Sequence, residues 1–148
     1  MRVAIIERSS ETRDEIKNCL KGSSKTWGVV DPEWEIDFYV DPEKFFNNDC
    51  SEYDIVMVDC DLGGDKLCFD FIHRIYNTTD AELCILTDGA NSKTLANLLN
   101  DDHINYILYK SDIGKIMDHL NYSSSRLKIK SHLLNESAIY TEISSKMF

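Results

Sequence analysis

The sequence predicts an α/β protein, a doubly wound (βα)5 fold around a parallel five-stranded sheet. Three observations carry that expectation. Five short apolar runs recur along the chain, each followed by a stretch whose apolar residues fall at helical spacing. The connections are tight, so crossovers must be right-handed and few topologies remain. A polar residue directly follows each run that bears on function, at the carboxyl ends of the strands, where parallel-sheet proteins build their sites.

The elements follow in order. Val3 to Ile6 (VAII) is a short buried strand. Ser9 or Ser10 caps the next helix, which has Glu11 in its first turn. Thr12, Ile16, Cys19 and Leu20 repeat at helical spacing, and Gly22 supplies the stop. Residues 23–33 read as a polar connection. Residues 34–40 (WEIDFYV) alternate as a strand. Asp41-Pro42-Glu43 opens a short helix that ends near Asn48, with Asp41 as cap and Pro42 as its first residue. Residues 53–58 (YDIVMV) form the most apolar run and read as a central strand, ended by Asp59-Cys60-Asp61. A helix follows Leu62-Gly63-Gly64, with Leu67, Phe69, Phe71, Ile72 and Ile75 available for burial. Leu83 to Leu86 is the fourth strand, closed by Thr87-Asp88-Gly89. Residues 91–100 make a helix with Leu95, Leu98 and Leu99 on one side. Residues 104–109 (INYILY) are the fifth strand, broken by Lys110-Ser111, and a last helix spans about 112–120.

The chain has 148 residues, which suits one domain rather than two. With 43% hydrophobic and 28% charged residues it has the material for a core. No run approaches the roughly 18–20 apolar residues of a membrane span. The N-terminal apolar stretch is too short for a secretory signal, so a cytoplasmic location is expected, without membrane contact. Five cysteines lack any CxxC pair and have no histidine cluster near them in sequence, so zinc is not expected and reduced thiols are. The net charge is −10. Residues 1–120 carry 24 acidic and 12 basic side chains, against 2 and 4 in residues 121–148. The main body, residues 1–121, should repel a nucleic-acid backbone.

Reading the strand ends alone gives Glu7-Arg8, Asp59, Thr87 and Lys110-Ser111. A carboxylate there can ligate a hard cation or accept a phosphoryl group. A lysine and a hydroxyl nearby can hold the phosphate oxygens.

These pieces resemble the receiver domain of two-component response regulators, a flavodoxin-like fold. The resemblance covers residues 1 to about 121 and rests on VAIIERSSETR, YDIVMVDCDLGG, CILTDGA and YILYKSD, in that order. It implies that Asp59 accepts a phosphoryl group from a sensor histidine kinase, that Thr87 is the switch hydroxyl, and that Lys110 pairs with the phosphoryl oxygens. It further implies a magnesium ion held by Glu7, Asp59 and the backbone carbonyl of Asp61. The protein is then a switch rather than a conventional enzyme, and the resemblance allows a homodimer through the fourth helix, fifth strand and fifth helix.

Four features depart from the pattern. Arg8 stands where receivers carry a second acid, and a guanidinium cannot ligate a metal. It also repels a nearby cation, so weakened magnesium binding is expected. Two orientations are open to it: contact with Asp59, imitating a bound cation, or solvent. Leu62-Gly63 replaces Met-Pro, and Ser111 stands where the family has a proline behind a cis bond, so looser geometry around Lys110 is expected. The aromatic switch position matches Ile107, unless a bulge brings Tyr106 there.

The stretch EWEIDFYVDPEKFFNNDCSEYDIVMVD is similar to receivers of the LytTR class of transcription regulators, in which a DNA-binding β-domain follows. Residues 122–148 read as a serine-bearing linker, with LKIK and AIYTEI as candidate strands of an output domain barely begun. The resemblance thus leaves two functions open: a working phosphoacceptor switch, or a degenerate receiver that docks or dimerises without phosphate. A flavin or nucleotide binder is a third, but it needs a phosphate-cradling loop after the first strand, and ERSSE is a poor one.

Overall fold

The structure is a computed structural model that describes residues 1–23, 34–60, 65–89 and 92–147. Contacts divide the chain into two units, Met1–Met117 and Asp118–Phe148.

The first unit is built on five strands: β1 (Arg2–Ile6), β2 (Glu35–Tyr39), β3 (Ile55–Asp59), β4 (Glu82–Thr87) and β5 (Tyr106–Tyr109). All neighbours are parallel, in the order β2-β1-β3-β4-β5. This is the flavodoxin-like order expected of the sequence. The inner strands β1, β3 and β4 are buried almost throughout, while β2 and β5 at the edges are partly exposed. Hence the inner strands read as unbroken apolar runs and β2 alternates.

Four helices join the strands: α1 (Ser10–Ser23), α2 (Pro42–Phe46), α3 (Asp65–Thr78) and α4 (Ser92–Leu99). Ser9 caps α1, its Oγ accepting the Thr12 N–H at 3.3 Å. Asp41 caps α2, its Oδ1 accepting the Lys44 N–H at 2.9 Å, with Pro42 first in the helix. On one sheet face Ala4, Ile6, Val56, Val58, Leu83 and Ile85 form a single core with Phe45 of α2, Ile72 and Ile75 of α3, and Leu98 of α4. The alternate residues Val3, Ile5, Met57, Cys84 and Leu86 are equally buried and point to the other face. Of the connection expected at residues 23–33, Ser23 instead ends α1, which therefore runs past Gly22, and residues 24–33 lie outside the described residues, as do the Leu62-Gly63 loop and the side chains of Leu67, Leu95 and Leu99.

After β5 the chain forms a 3-10 turn, Lys110–Lys115, and then α5, Ile116–Met147. The last helix therefore does not end near residue 120. The strand candidates LKIK and AIYTEI both lie inside it. No proline or glycine interrupts residues 116–148, and serine costs a helix only about 0.5 kcal/mol per residue, so nothing stops it. Within the second unit, Ile129, Leu133, Leu134 and Ile139 are exposed. No described helix is long and apolar enough to cross a membrane.

Candidate functional site

The strand order reverses between β1 and β3, since β2 lies outward of β1 while β4 and β5 follow β3. Crevices of open α/β sheets form at such a switch point, beyond the carboxyl ends of the strands. Register places Ile6 beside Val58, Asp59 beside Leu86, and Thr87 beside Tyr109. Glu7, Asp59, Thr87 and Lys110 therefore end four adjacent strands at one level. Alternation would otherwise drive such side chains into an apolar layer; here Glu7, Asp59 and Thr87 are all buried polar groups.

Lys110 joins them. Its Nζ lies 2.9 Å from Asp59 Oδ1 and 3.4 Å from Glu7 Oε2. Glu7 is held from below: its Oε1 accepts the Ser9 N–H at 3.0 Å, and its backbone N–H bonds Tyr39 O at 2.9 Å. Burial pushes the Glu7 carboxyl up to about 7, the Ser9 N–H pulls it back, the Asp59 charge adds to the rise, and Lys110 opposes it. The two carboxyl groups share a hydrogen bond only when a proton sits between them. Without one, Glu7 Oε2 is a buried oxygen with no hydrogen-bond partner among the described residues. Thr87 Oγ1 accepts the Gly89 N–H at 3.2 Å, which sets the hydroxyl at the mouth of the turn after β4. Gly89 holds φ +106°, a left-handed conformation that glycine adopts without strain.

Two buried carboxylates with an unsatisfied oxygen fit a hard dication. Glu7 and Asp59 are the residues that would hold magnesium. The third expected ligand, the Asp61 carbonyl, lies outside the described residues.

Arg8 is exposed and makes no ion pair among the described residues. The imitation of a bound cation at Asp59 thus falls to Lys110. The physical reason is position. Arg8 continues β1 one residue past Glu7, so its side chain leaves on the opposite side of the strand. It still lines a cavity of about 280 Å³ shared with Asp59, Val58, Cys68, Phe71 and Arg74. The β5 register runs without a bulge from Tyr106 to Tyr109. Ile107 accordingly occupies the aromatic position and packs on the core, while Tyr106 points to the other face. No peptide bond among the described residues is cis, and Lys110 opens the 3-10 turn instead of preceding a proline kink.

Sequence reasoning missed Arg13. Its Nη1 donates to the carbonyls of Glu7 and Arg8, both at 2.8 Å, and so fixes the loop that carries Glu7. An arginine in the first turn of a helix gives no signal of that role until the loop is folded.

No family model matches the sequence, and no curated protein does. Solved structures do. A signal receiver domain of an HD domain-containing protein from Pseudomonas fluorescens superposes with a TM-score of 0.68 at 14% identity, over 88% of this chain and 91% of that one. A response regulator receiver protein from Pseudoalteromonas atlantica gives 0.61 at 10% identity, over 88% and 99%. The N-terminal domain of a response regulator/sensory box/GGDEF protein from Carboxydothermus hydrogenoformans gives 0.59 at 14% identity, over 88% and 98%. At these identities the likeness speaks for the fold, and this chain has the fold of response-regulator receiver domains.

Proposed function

We propose that the chain is a phosphoacceptor switch, in which Asp59 takes a phosphoryl group from a phosphohistidine on a sensor kinase. One observation carries the reading: the Lys110 ammonium bridges two buried carboxylates, Asp59 and Glu7, at the strand ends beside Thr87. An Asp59 carboxylate oxygen attacks phosphorus, the phosphorus–nitrogen bond breaks, and the imidazole leaves with its electron pair. Water later attacks the acyl phosphate and restores the carboxylate as inorganic phosphate departs. Lys110 faces the new oxygens as an ion-pair donor, and Thr87 offers a hydroxyl. Magnesium, when bound, supplies positive charge against the phosphoryl oxygens. Moving Lys110 and Thr87 toward a phosphoryl group changes the loops after β4 and β5, which alters what those loops bind. Control of transcription, as in the LytTR class, is the output that this reading extends to.

A second reading, docking without phosphate, is favoured by Arg8. A fixed cation lines the cavity beside Asp59 where a second acid would strengthen a metal site.

The test is phosphorylation of the native chain by acetyl phosphate, with and without magnesium, read by intact mass. A magnesium-dependent adduct that disappears in Asp59→Asn supports the switch. No adduct in the native chain but one in Arg8→Asp refutes it in favour of docking.

A further inference from the structure

His73 on α3 and the turn between α4 and β5 meet at the other end of the sheet, ahead of β5 rather than after it. There a ring nitrogen of His73, an Asp101 carboxylate oxygen and a ring nitrogen of His103 all lie within 4.8 Å of one another. We propose that these three side chains form a binding site for a transition-metal dication of the zinc type, separate from the Asp59 site.

The donor set is the first argument. Two imidazoles and one carboxylate suit zinc, cobalt, nickel or copper, whereas magnesium prefers oxygen alone. The two ends of the sheet thus present different chemistry: oxygen donors at Glu7 and Asp59, nitrogen donors here.

Geometry is the second. Asp101 Oδ1 lies 2.9 Å from His103 Nδ1, and Asp101 Oδ2 lies 3.9 Å from His73 Nε2. Ligand atoms around a tetrahedral zinc with bonds of about 2.0–2.1 Å stand about 3.4 Å apart. Those two distances, one to each oxygen of Asp101, lie on either side of that value, and the three ligand atoms fall within 4.8 Å of one another, so closing onto one ion takes side-chain adjustment. The remaining adjustment falls on His73, whose side chain is 51% exposed and able to turn, while Asp101 is only 10% exposed. Asp101 is also fixed from behind, its Oδ1 accepting the His103 N–H at 2.9 Å.

The third argument is an unsatisfied atom. His103 Nδ1 is buried and, although it lies 2.9 Å from Asp101 Oδ1, makes no hydrogen bond of acceptable geometry. The Tyr76 ring lies 3.7 Å from the His103 ring, and the His73 ring stands edge-on to it at 5.2 Å. These contacts hold the imidazole where a metal would meet it. Three protein ligands leave a coordination position for water, so the bound ion is exchangeable rather than sealed. Such an ion would tie α3 to the α4–β5 turn.

The test is calorimetric titration of the metal-stripped full chain with zinc, in excess magnesium so that hard-cation sites are occupied. One zinc per chain is expected. Affinity should fall roughly tenfold or more in His73→Ala and in His103→Ala. It should be unchanged in Asp59→Asn and in His132→Ala, which removes the histidine paired with Glu136. Cobalt in place of zinc should give d–d absorption without thiolate charge-transfer bands. Absence of saturable binding, binding that survives His73→Ala, or binding that follows His132 or the cysteines would overturn the proposal. His73 is half-exposed, so its variant keeps the test valid even if His103→Ala unfolds.

Discussion

Replacing Glu7 by glutamine should make the protein more stable at neutral and alkaline pH, although it alters a residue at the centre of the site. Burial beside Asp59 raises the Glu7 carboxyl from 4.5 to about 7, despite the Ser9 N–H and Lys110. Between those values the folded chain holds a proton that the unfolded chain has released. Stability tied to Glu7 is therefore fully present below pH 4.5 and is lost as pH rises through 7. A shift of that size, at about 1.4 kcal/mol per pH unit, amounts to roughly 3 kcal/mol. Glutamine keeps an oxygen for the Ser9 N–H and an N–H to offer Asp59, but it cannot ionise. Urea unfolding of both proteins in chelator, from pH 4.5 to 8.5, gives a difference in which titrating groups distant from Glu7, Asp59 and Lys110 cancel. The variant should match the native chain at the acid end and exceed it by about 3 kcal/mol above neutrality. A difference that stays flat across the range would refute the assignment of the raised group to Glu7. Magnesium should restore more of the native chain's stability above neutrality than of the variant's, since ionised Glu7 and Asp59 together attract it more strongly than Asp59 alone.

Two further predictions follow from the same geometry and its supporting turn. Lys110→Met removes the ammonium that faces two buried carboxylates, so it should cost roughly 2–4 kcal/mol at pH 8 by urea unfolding. Adding Glu7→Gln should relieve only the share owed to Glu7, because Asp59, 2.9 Å from the ammonium, still loses its cation. A loss unchanged in the double variant would mean that Glu7 takes no share of the ammonium. Gly89→Ala should lower stability by about 1 kcal/mol through backbone strain alone, because φ is +106° and no atom lies within 4 Å of an added Cβ. A thermal melt showing no change would place that turn outside the cooperative unit.

Much of the first unit was legible in the chain. Val3 to Ile6, residues 53–58 and Leu83 to Leu86 read as strands because strands buried on both faces favour apolar residues, although β3 itself begins at Ile55. Asp41-Pro42 marked the start of α2 through the cap and the fixed proline φ. Glu7, Asp59, Thr87 and Lys110 stood out because each breaks an apolar run at a strand end. Residues 127–130 and 138–143 misled, since short alternating patterns fit a strand and a helix alike. In their case a continuous helix without proline or glycine decided the matter. Arg8 was legible as an anomaly, but its direction was not: strand alternation past Glu7 turns it toward solvent and leaves the cation's place to Lys110.

The sequence by itself determined the alternation of elements, the burial of the central strands and the polar residues that end them. These depend on period and on neighbours within a few positions. Tertiary structure alone decided that Lys110 bridges Asp59 and Glu7, that the Glu7 carboxyl is held near neutrality, and that His73 meets Asp101 and His103. Those facts require side chains far apart in the chain to share a volume from which water is excluded. Both the distance between charges and the cost of removing them from water are properties of that shared volume, so no local pattern encodes them.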